Sequence, residues 1–283
     1  MTRAESILVA FSHGTARVTL NRPDRRNAFD ARMVEELREA FTTLGQDRSV
    51  RAIILAGNGP AFCAGADIHW MGSNGRLSAA EARKDATELM KMFRAIDECP
   101  CPVIGRIHGA AYGGGVGMMA ACDLAVAAQD ATFALSELRL GMVPAVIAPL
   151  LLRKAGEPFL RRFCLTGEPF SPATAQQWGL VHDVVETGRL NSRIDELVRM
   201  IVHLAPQATR ESKTLFRRLR TLGDDEQRRA CVEANGRARR SAEAREGFLA
   251  FVEHRSPVWT VRPEKPEARS QEGTVRDVVE QRA

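Results

Sequence analysis

The chain has 283 residues, enough for one large domain or a domain with a smaller appendage. At 45% hydrophobic and 27% charged residues it reads as soluble and globular, and no apolar run is long enough to span a bilayer. The net charge of +5 invites an anionic partner, but aromatic residues are sparse and no RNA-reading aromatic motif interrupts the basic run of 206–247, which argues against nucleic acid. The N-terminal residues lack the charged start and long apolar block of a secretory signal, so a cytoplasmic location is expected. Six scattered cysteines (Cys63, Cys99, Cys101, Cys122, Cys164 and Cys231) fit reduced thiols better than a disulfide framework, and a lone Cys99-Pro-Cys101 is no metal knuckle.

In chain order, 7–11 and 16–20 read as strands joined by a turn-rich link, Ser12-His13-Gly14-Thr15. A polar loop, 21–29, leads to Asp30, placed to cap a helix whose Met33, Val34, Leu37, Phe41 and Leu44 recur on one face. A short buried strand is expected at 52–56, then a turn, then the small-residue stretch Ala61-Phe62-Cys63-Ala64-Gly65-Ala66-Asp67-Ile68. A helix follows from about Ser78, with Leu89, Met90, Phe93 and Ile96 as its buried stripe.

The strand 102–107 then runs into a second small-residue stretch, His108 to Asp123, reading HGAAYGGGVGMMAACD. Glycines 113 to 115 leave bare backbone at a helix start, where the first N–H groups have no internal partner and a developing negative charge is welcome. No Lys-Ser or Lys-Thr pair follows, which excludes a Walker-type nucleotide loop. Strand, turn and helix recur at a spacing of roughly 50 residues, Ile53 against Val103 and Gly65 against Gly115. Stacked units of similar build would present both turns on one side, allowing two N–H donors to converge on one oxygen. Strands are expected at 124–128 and 132–135, helices at 144–154 and 157–165, and a helix capped by Ser171. From Leu190 the pattern is helical to about 253, with little core of its own, and 261–283 reads as a flexible tail.

Four segments, 21–29, 62–68, 108–123 and 133–144, together resemble the crotonase superfamily, the enoyl-CoA hydratase/isomerase family, and the resemblance runs to about Thr260. It implies an α/β fold, a spiral of repeated ββα units over 1–200 with a C-terminal helical trimerisation region over 201–260, assembled as a homotrimer or hexamer. The implied partner is an acyl-CoA thioester; coenzyme A belongs to the substrate, and no separate cofactor or metal is expected. By position, the N–H groups of Ala66 and Gly114 would hold the thioester oxygen. Arg25, Ala28, Ala64, Asp67 and Ile68 fall where the CoA adenine and phosphates are handled, while Phe251 and His254 match positions that reach a neighbouring subunit's CoA. A lysine is common where His254 stands.

Classical hydratases of the family use two glutamates. The second is present as Glu137, a catalytic candidate as general base, but Gly117 occupies the place of the first. Installing a glutamate at 117 asks whether the site is otherwise competent. The run GGGVG, the stretch SELRLGMVPAVIAPLL and the residues 66–71 resemble bacterial methylglutaconyl-CoA-type hydratases, which handle branched or acidic acyl groups. Hydration by one glutamate is therefore the preferred expectation. The alternatives are isomerisation, with Glu137 carrying a proton between Cα and Cγ, and a non-catalytic RNA- or protein-binding protein, which steep salt dependence without turnover would reveal. Glu137 could instead pair with Arg139 at the surface; His69, Arg76, Arg83 and Lys84 are candidates to meet an acidic acyl chain.

Overall fold

The opening strands pair as a hairpin. In the computed structural model, which describes residues 6–72, 77–260 and 271–273, β1 (Ile7–Ser12) runs antiparallel to β2 (Thr15–Leu20). Only His13 and Gly14 link them, both at positive φ (47° and 76°), which matches the twist of a two-residue turn. The remaining strands are β3 (Ala52–Gly57), β4 (Val103–Ile107), β5 (Ala110–Tyr112), β6 (Leu124–Ala128), β7 (Thr132–Ala134), β8 (Asp183–Val185) and β9 (Gln271–Gly273). Seven of the nine form one sheet in the order β8-β6-β4-β3-β2-β1-β9, parallel from β2 through β8 and antiparallel at the β1 and β9 edge. Strands β5 and β7 pair separately, in parallel. Both β5 and β8 are three-residue strands that hydrophobic periodicity does not announce. Apart from β9, the expected tail of 261–283 lies outside the described residues.

The parallel strands are covered on both faces, which is why they read as continuous apolar runs. Ile53 and Leu55 of β3, with Val103 and Ile107 of β4, enter the main core. Ile54 and Ile104, the alternate residues, enter a smaller core behind the sheet. The helices are α1 (Ala31–Gln46), α2 (Ile68–Gly72), α3 (Ala79–Asp97), α4 (Gly114–Ala121), α5 (Ala148–Thr166), α6 (Pro172–Gln177), α7 (Leu190–Val202), α8 (Pro206–Leu219), α9 (Asp224–Arg239) and α10 (Ala242–Val252). Leu190 and Ile194 of α7 close the rear core; α1, α3 and α4 lie over the front one. α4 is apolar all round, and every residue from Gly115 to Ala121 is buried, as suits a helix enclosed by α3 and α5.

Local signals explain most boundaries. Asp30 accepts the Met33 N–H at 3.0 Å, and Ser78 forms a capping box with Glu81 at the start of α3. The buried stripe of α3 is Leu89, Met92, Phe93 and Ile96; Met90, expected inside, is 44% exposed. Spacings of three and four from Leu89 reach 92, 93 and 96, whereas position 90 is turned a full 100° from 89. The two helices expected around 144–165 are the two halves of α5, which breaks at Gly156 (φ 80°, ψ 169°) two residues before Pro158; the first half begins at Ala148 rather than at Pro144. In α8, α9 and α10 only Ala230 and Ala250 are buried, so this region has almost no core of its own.

Candidate active site

The two small-residue turns meet. The Cys63 N–H donates to the Ala110 carbonyl at 3.1 Å, and the Tyr112 N–H returns to the Cys63 carbonyl at 3.0 Å. Gly65, at φ 92°, lies so close to the second turn that a Cβ would stand 2.9 Å from the Tyr112 carbonyl and 3.5 Å from the Gly114 nitrogen. A Cβ on Gly115 would overlap the Cys63 carbonyl. Only glycine permits this backbone-to-backbone approach. The pairing has its origin in the repeat: Ile53 and Val103 are direct register partners in the sheet, so the turns that follow β3 and β4 emerge on the same side.

Ala66 and Gly114 therefore lie on adjoining turns. Gly114 begins α4, where the N–H has no intrahelical acceptor. Among the described residues neither its N–H nor that of Ala66 is taken up by a protein acceptor. Both residues are partly exposed, although Gly65, Asp67, Gly113 and Gly115 beside them are buried. Two donors without protein acceptors thus belong to half-buried residues set between buried neighbours.

Glu137 stands over this helix start. It begins a 3-10 turn, Glu137–Leu140, after β7, and its Oε1 is 2.9 Å from where a Cβ on Gly113 would lie. Gly113 has φ 48° and anchors its own N–H on the Ala134 carbonyl at 2.9 Å, which ties the turn to the strand that delivers Glu137. The Oε2 atom is buried without a hydrogen-bond partner. Burial pushes the Glu137 carboxyl above its ordinary value, opposed only by its own N–H. Burial, and then the Glu137 charge, likewise push the Cys164 thiol up, which places α5 beside the carboxylate. Arg139 does not pair with Glu137; it donates to the Gly167 carbonyl at 2.8 Å, clamping the 3-10 turn to the end of α5.

Gly117, one turn along α4, faces a filled space. A Cβ there would overlap Ile147 Cγ2 and lie 3.0 Å from Phe93 Cε1. Both residues are almost fully buried. The position of a first glutamate is thus occupied by hydrocarbon, a substitution that the glycine alone does not disclose.

The loop 22–29 runs beside the first turn. Ala64 N–H donates to the Arg26 carbonyl, Phe29 N–H to Gly65, and Asp67 N–H to Phe29, each at 2.9 Å. This brings Arg25, Ala28, Ala64, Asp67 and Ile68 to one edge, with Arg25 and Ile68 exposed. The Asp67 carboxylate turns inward to Arg22 at 2.9 Å and to the His69 N–H at 2.9 Å, so any share it takes in holding CoA falls to its main chain. Phe251 and His254 lie exposed at the end of α10, and among the described residues neither is hydrogen-bonded to the two turns. His69, Arg83 and Lys84 are exposed; Arg76 lies outside the described residues. The sequence singles out none of Arg22, Asn27, Ile147 and Cys164, although Arg22 and Asn27 lie in the 21–29 segment; Arg22 meets Asp67 from 45 positions away. Among the described residues no group of acidic, histidine or cysteine side chains is arranged to hold a metal ion, and no helix is long and apolar enough to cross a membrane.

The layered sheet, the abutting glycine turns and the central helix define a crotonase-type fold. The sequence profile of the enoyl-CoA hydratase/isomerase family matches residues 10–262. The enoyl-CoA hydratase ACTT6 of Alternaria alternata is 35% identical over 217 residues, 75% of this chain and 70% of its own. The 1,2-epoxyphenylacetyl-CoA isomerase of Escherichia coli is 32% identical over 270 residues, 90% of this chain and 98% of its own. Among solved structures, Pseudomonas aeruginosa AtuE superposes with a TM-score of 0.88 at 35% identity, covering 91% of this chain and all of that one. The chain belongs to the enoyl-CoA hydratase/isomerase family, within the crotonase superfamily.

Proposed function

We propose that the protein is an enoyl-CoA hydratase that adds water across the α,β double bond of a 2-enoyl-CoA with one carboxylate. The observation that carries this reading is the Glu137 carboxylate over Gly113, with its Oε2 buried and unpartnered, beside the free N–H groups of Ala66 and Gly114. Glu137 takes a proton from water as its oxygen bonds to Cβ. The π electrons move toward the thioester, and the enolate oxygen is held by the two backbone donors. Protonated Glu137 then returns a proton to Cα, so the net change is addition of H and OH. Donors aimed at the enolate oxygen stabilise the transition state more than the substrate. The branched or acidic acyl group of a methylglutaconyl-CoA-type substrate rests on the likeness of 66–71 and of the sequences flanking Gly117 and Glu137.

One observation favours a second reading. The hydrocarbon packed against Gly117 removes any second carboxylate from α4, and isomerisation needs only one. Glu137 would then carry a proton between Cα and Cγ. We also propose a homotrimer or hexamer, supported by the outward Phe216, Phe248 and Phe251 of the coreless C-terminal helices, exposed by 65%, 62% and 83%.

A panel of enoyl-CoA thioesters in heavy-oxygen water, including 3-methylglutaconyl-CoA and a 3-enoyl-CoA, separates the readings. Hydration places label at Cβ, the expected result; product formed without label establishes isomerisation instead.

A further inference from the structure

A single guanidinium joins the caps of two helices next to the site. Arg22 Nη2 lies 2.9 Å from Asp67 Oδ2 and 3.3 Å from Asp30 Oδ2. Asp30 is the cap of α1, accepting the Met33 N–H; Asp67 caps α2, accepting the His69 N–H at 2.9 Å. Arg22 Nη1 also donates to the Ala28 carbonyl, while the Arg22 N–H donates to Asn27 Oδ1 at 2.9 Å. Asn27 is fully buried at φ 55° and spends its amide on the Asn58 and Ala61 carbonyls, both at 2.8 Å.

These bonds fix residues on both sides of Ala66. Ahead of it, Ala61 is held by Asn27, Ala64 by Arg26, and the Gly65 carbonyl accepts the Phe29 N–H. Behind it, Asp67 is held through its N–H by Phe29 and through its carboxylate by Arg22. The peptide that carries the Ala66 N–H is thus pinned at each end, and none of the pinning groups occupies the opening itself. The Asp67 side chain is 8% exposed and that of Arg22 21%, so water competes weakly for the ion pair.

We infer that Arg22 and Asp67, supported by Asn27, are positioning residues that set the aim of the Ala66 N–H at the thioester oxygen. The inference rests on the oxyanion reading of Ala66 and Gly114 proposed above. A donor displaced by about 1 Å can lose on the order of 10²-fold in rate without losing the ligand, because orientation matters more to the transition state than to binding. A lysine at 22 keeps one charge but cannot serve Asp67, Asp30 and the Ala28 carbonyl together.

The test measures kcat, KM and the infrared carbonyl stretch of a bound, unreactive enoyl-CoA thioester in the wild type and in the Arg22→Met, Arg22→Lys and Asp67→Asn variants. The wild type is expected to shift the bound carbonyl to lower frequency. Arg22→Met should return it toward the free position and lower kcat about 10²-fold with KM changed only a few-fold, and Arg22→Lys should fall between. Asp67→Asn, which keeps an oxygen for the α2 cap, is expected to reproduce the Arg22→Met shift and serves if that variant folds poorly. A wild-type carbonyl band and wild-type kcat per folded molecule in Arg22→Met and Asp67→Asn would overturn the positioning role alone. An unshifted carbonyl in the bound wild type would overturn the oxyanion reading, and this inference with it.

Discussion

Glu137→Gln is expected to lower kcat by about 10²–10⁴-fold, the usual contribution of a positioned general base, while leaving acyl-CoA binding intact. The amide keeps the shape of the carboxylate but neither accepts the proton from water nor returns one to Cα. The fold should not suffer. Burial holds the Glu137 carboxyl above its ordinary value in the folded chain, so its charged form costs stability, and that cost grows as pH rises through the folded value. At neutral pH the glutamine is therefore expected to match or raise the melting temperature, the signature of a residue kept for chemistry rather than packing. The same shift sets the pH dependence. The base form prevails only above the raised value, so kcat/KM of the wild type should fall on the acid side at a pH above the ordinary glutamate range of about 4.3. A melting temperature lowered in step with activity would assign Glu137 a structural role.

Gly117→Glu is expected to damage the protein rather than improve it. The new side chain would have to pass through Ile147 and Phe93. Overpacking of this kind costs about 1–3 kcal/mol, and a carboxylate lodged among hydrocarbon adds several kcal/mol more unless it stays protonated. Thermal unfolding should show a large drop in melting temperature, with no gain in crotonyl-CoA hydration. Shortening Ile147 to alanine in the same chain opens the space and should recover part of the stability. If Gly117→Glu alone melted like the wild type and hydrated crotonyl-CoA faster, the packing around 117 would not be a barrier to a second carboxylate. The sequence suggests a two-glutamate site with one member missing; the structure packs Ile147 and Phe93 where that member would stand.

The repeat was legible because the sheet enforces it. Ile53 and Val103, separated by 50 positions, are register partners, and Gly65 and Gly115 follow them into one junction. Helix caps at Asp30, Ser78 and Ser171 were equally local and equally readable. What escaped was short or distant. Strands β5 and β8 are three residues each, too short for any periodicity to show. Met92 stands at the three-residue spacing from Leu89 and Met90 does not, so helical phase rather than apolar content decides which methionine is buried. Arg22 and Asp67 are 45 positions apart, and nothing in either neighbourhood announces the ion pair. Ile147 became part of the site only when folding carried it against Gly117. The bare turns are written in glycines; the side chains packed around them are not.

In the proposed function, Ala66, Gly114 and Glu137 act as one unit for handling an enolate. The most direct measurement of that role is the exchange of Cα protons of a saturated acyl-CoA into heavy water, which needs the base and the oxyanion donors but neither water addition nor a double bond. The wild type should introduce deuterium at Cα, and Glu137→Gln, binding the same thioester, should not. Exchange at the wild-type rate in Glu137→Gln, or no exchange by a wild-type protein saturated with the thioester, would contradict that role.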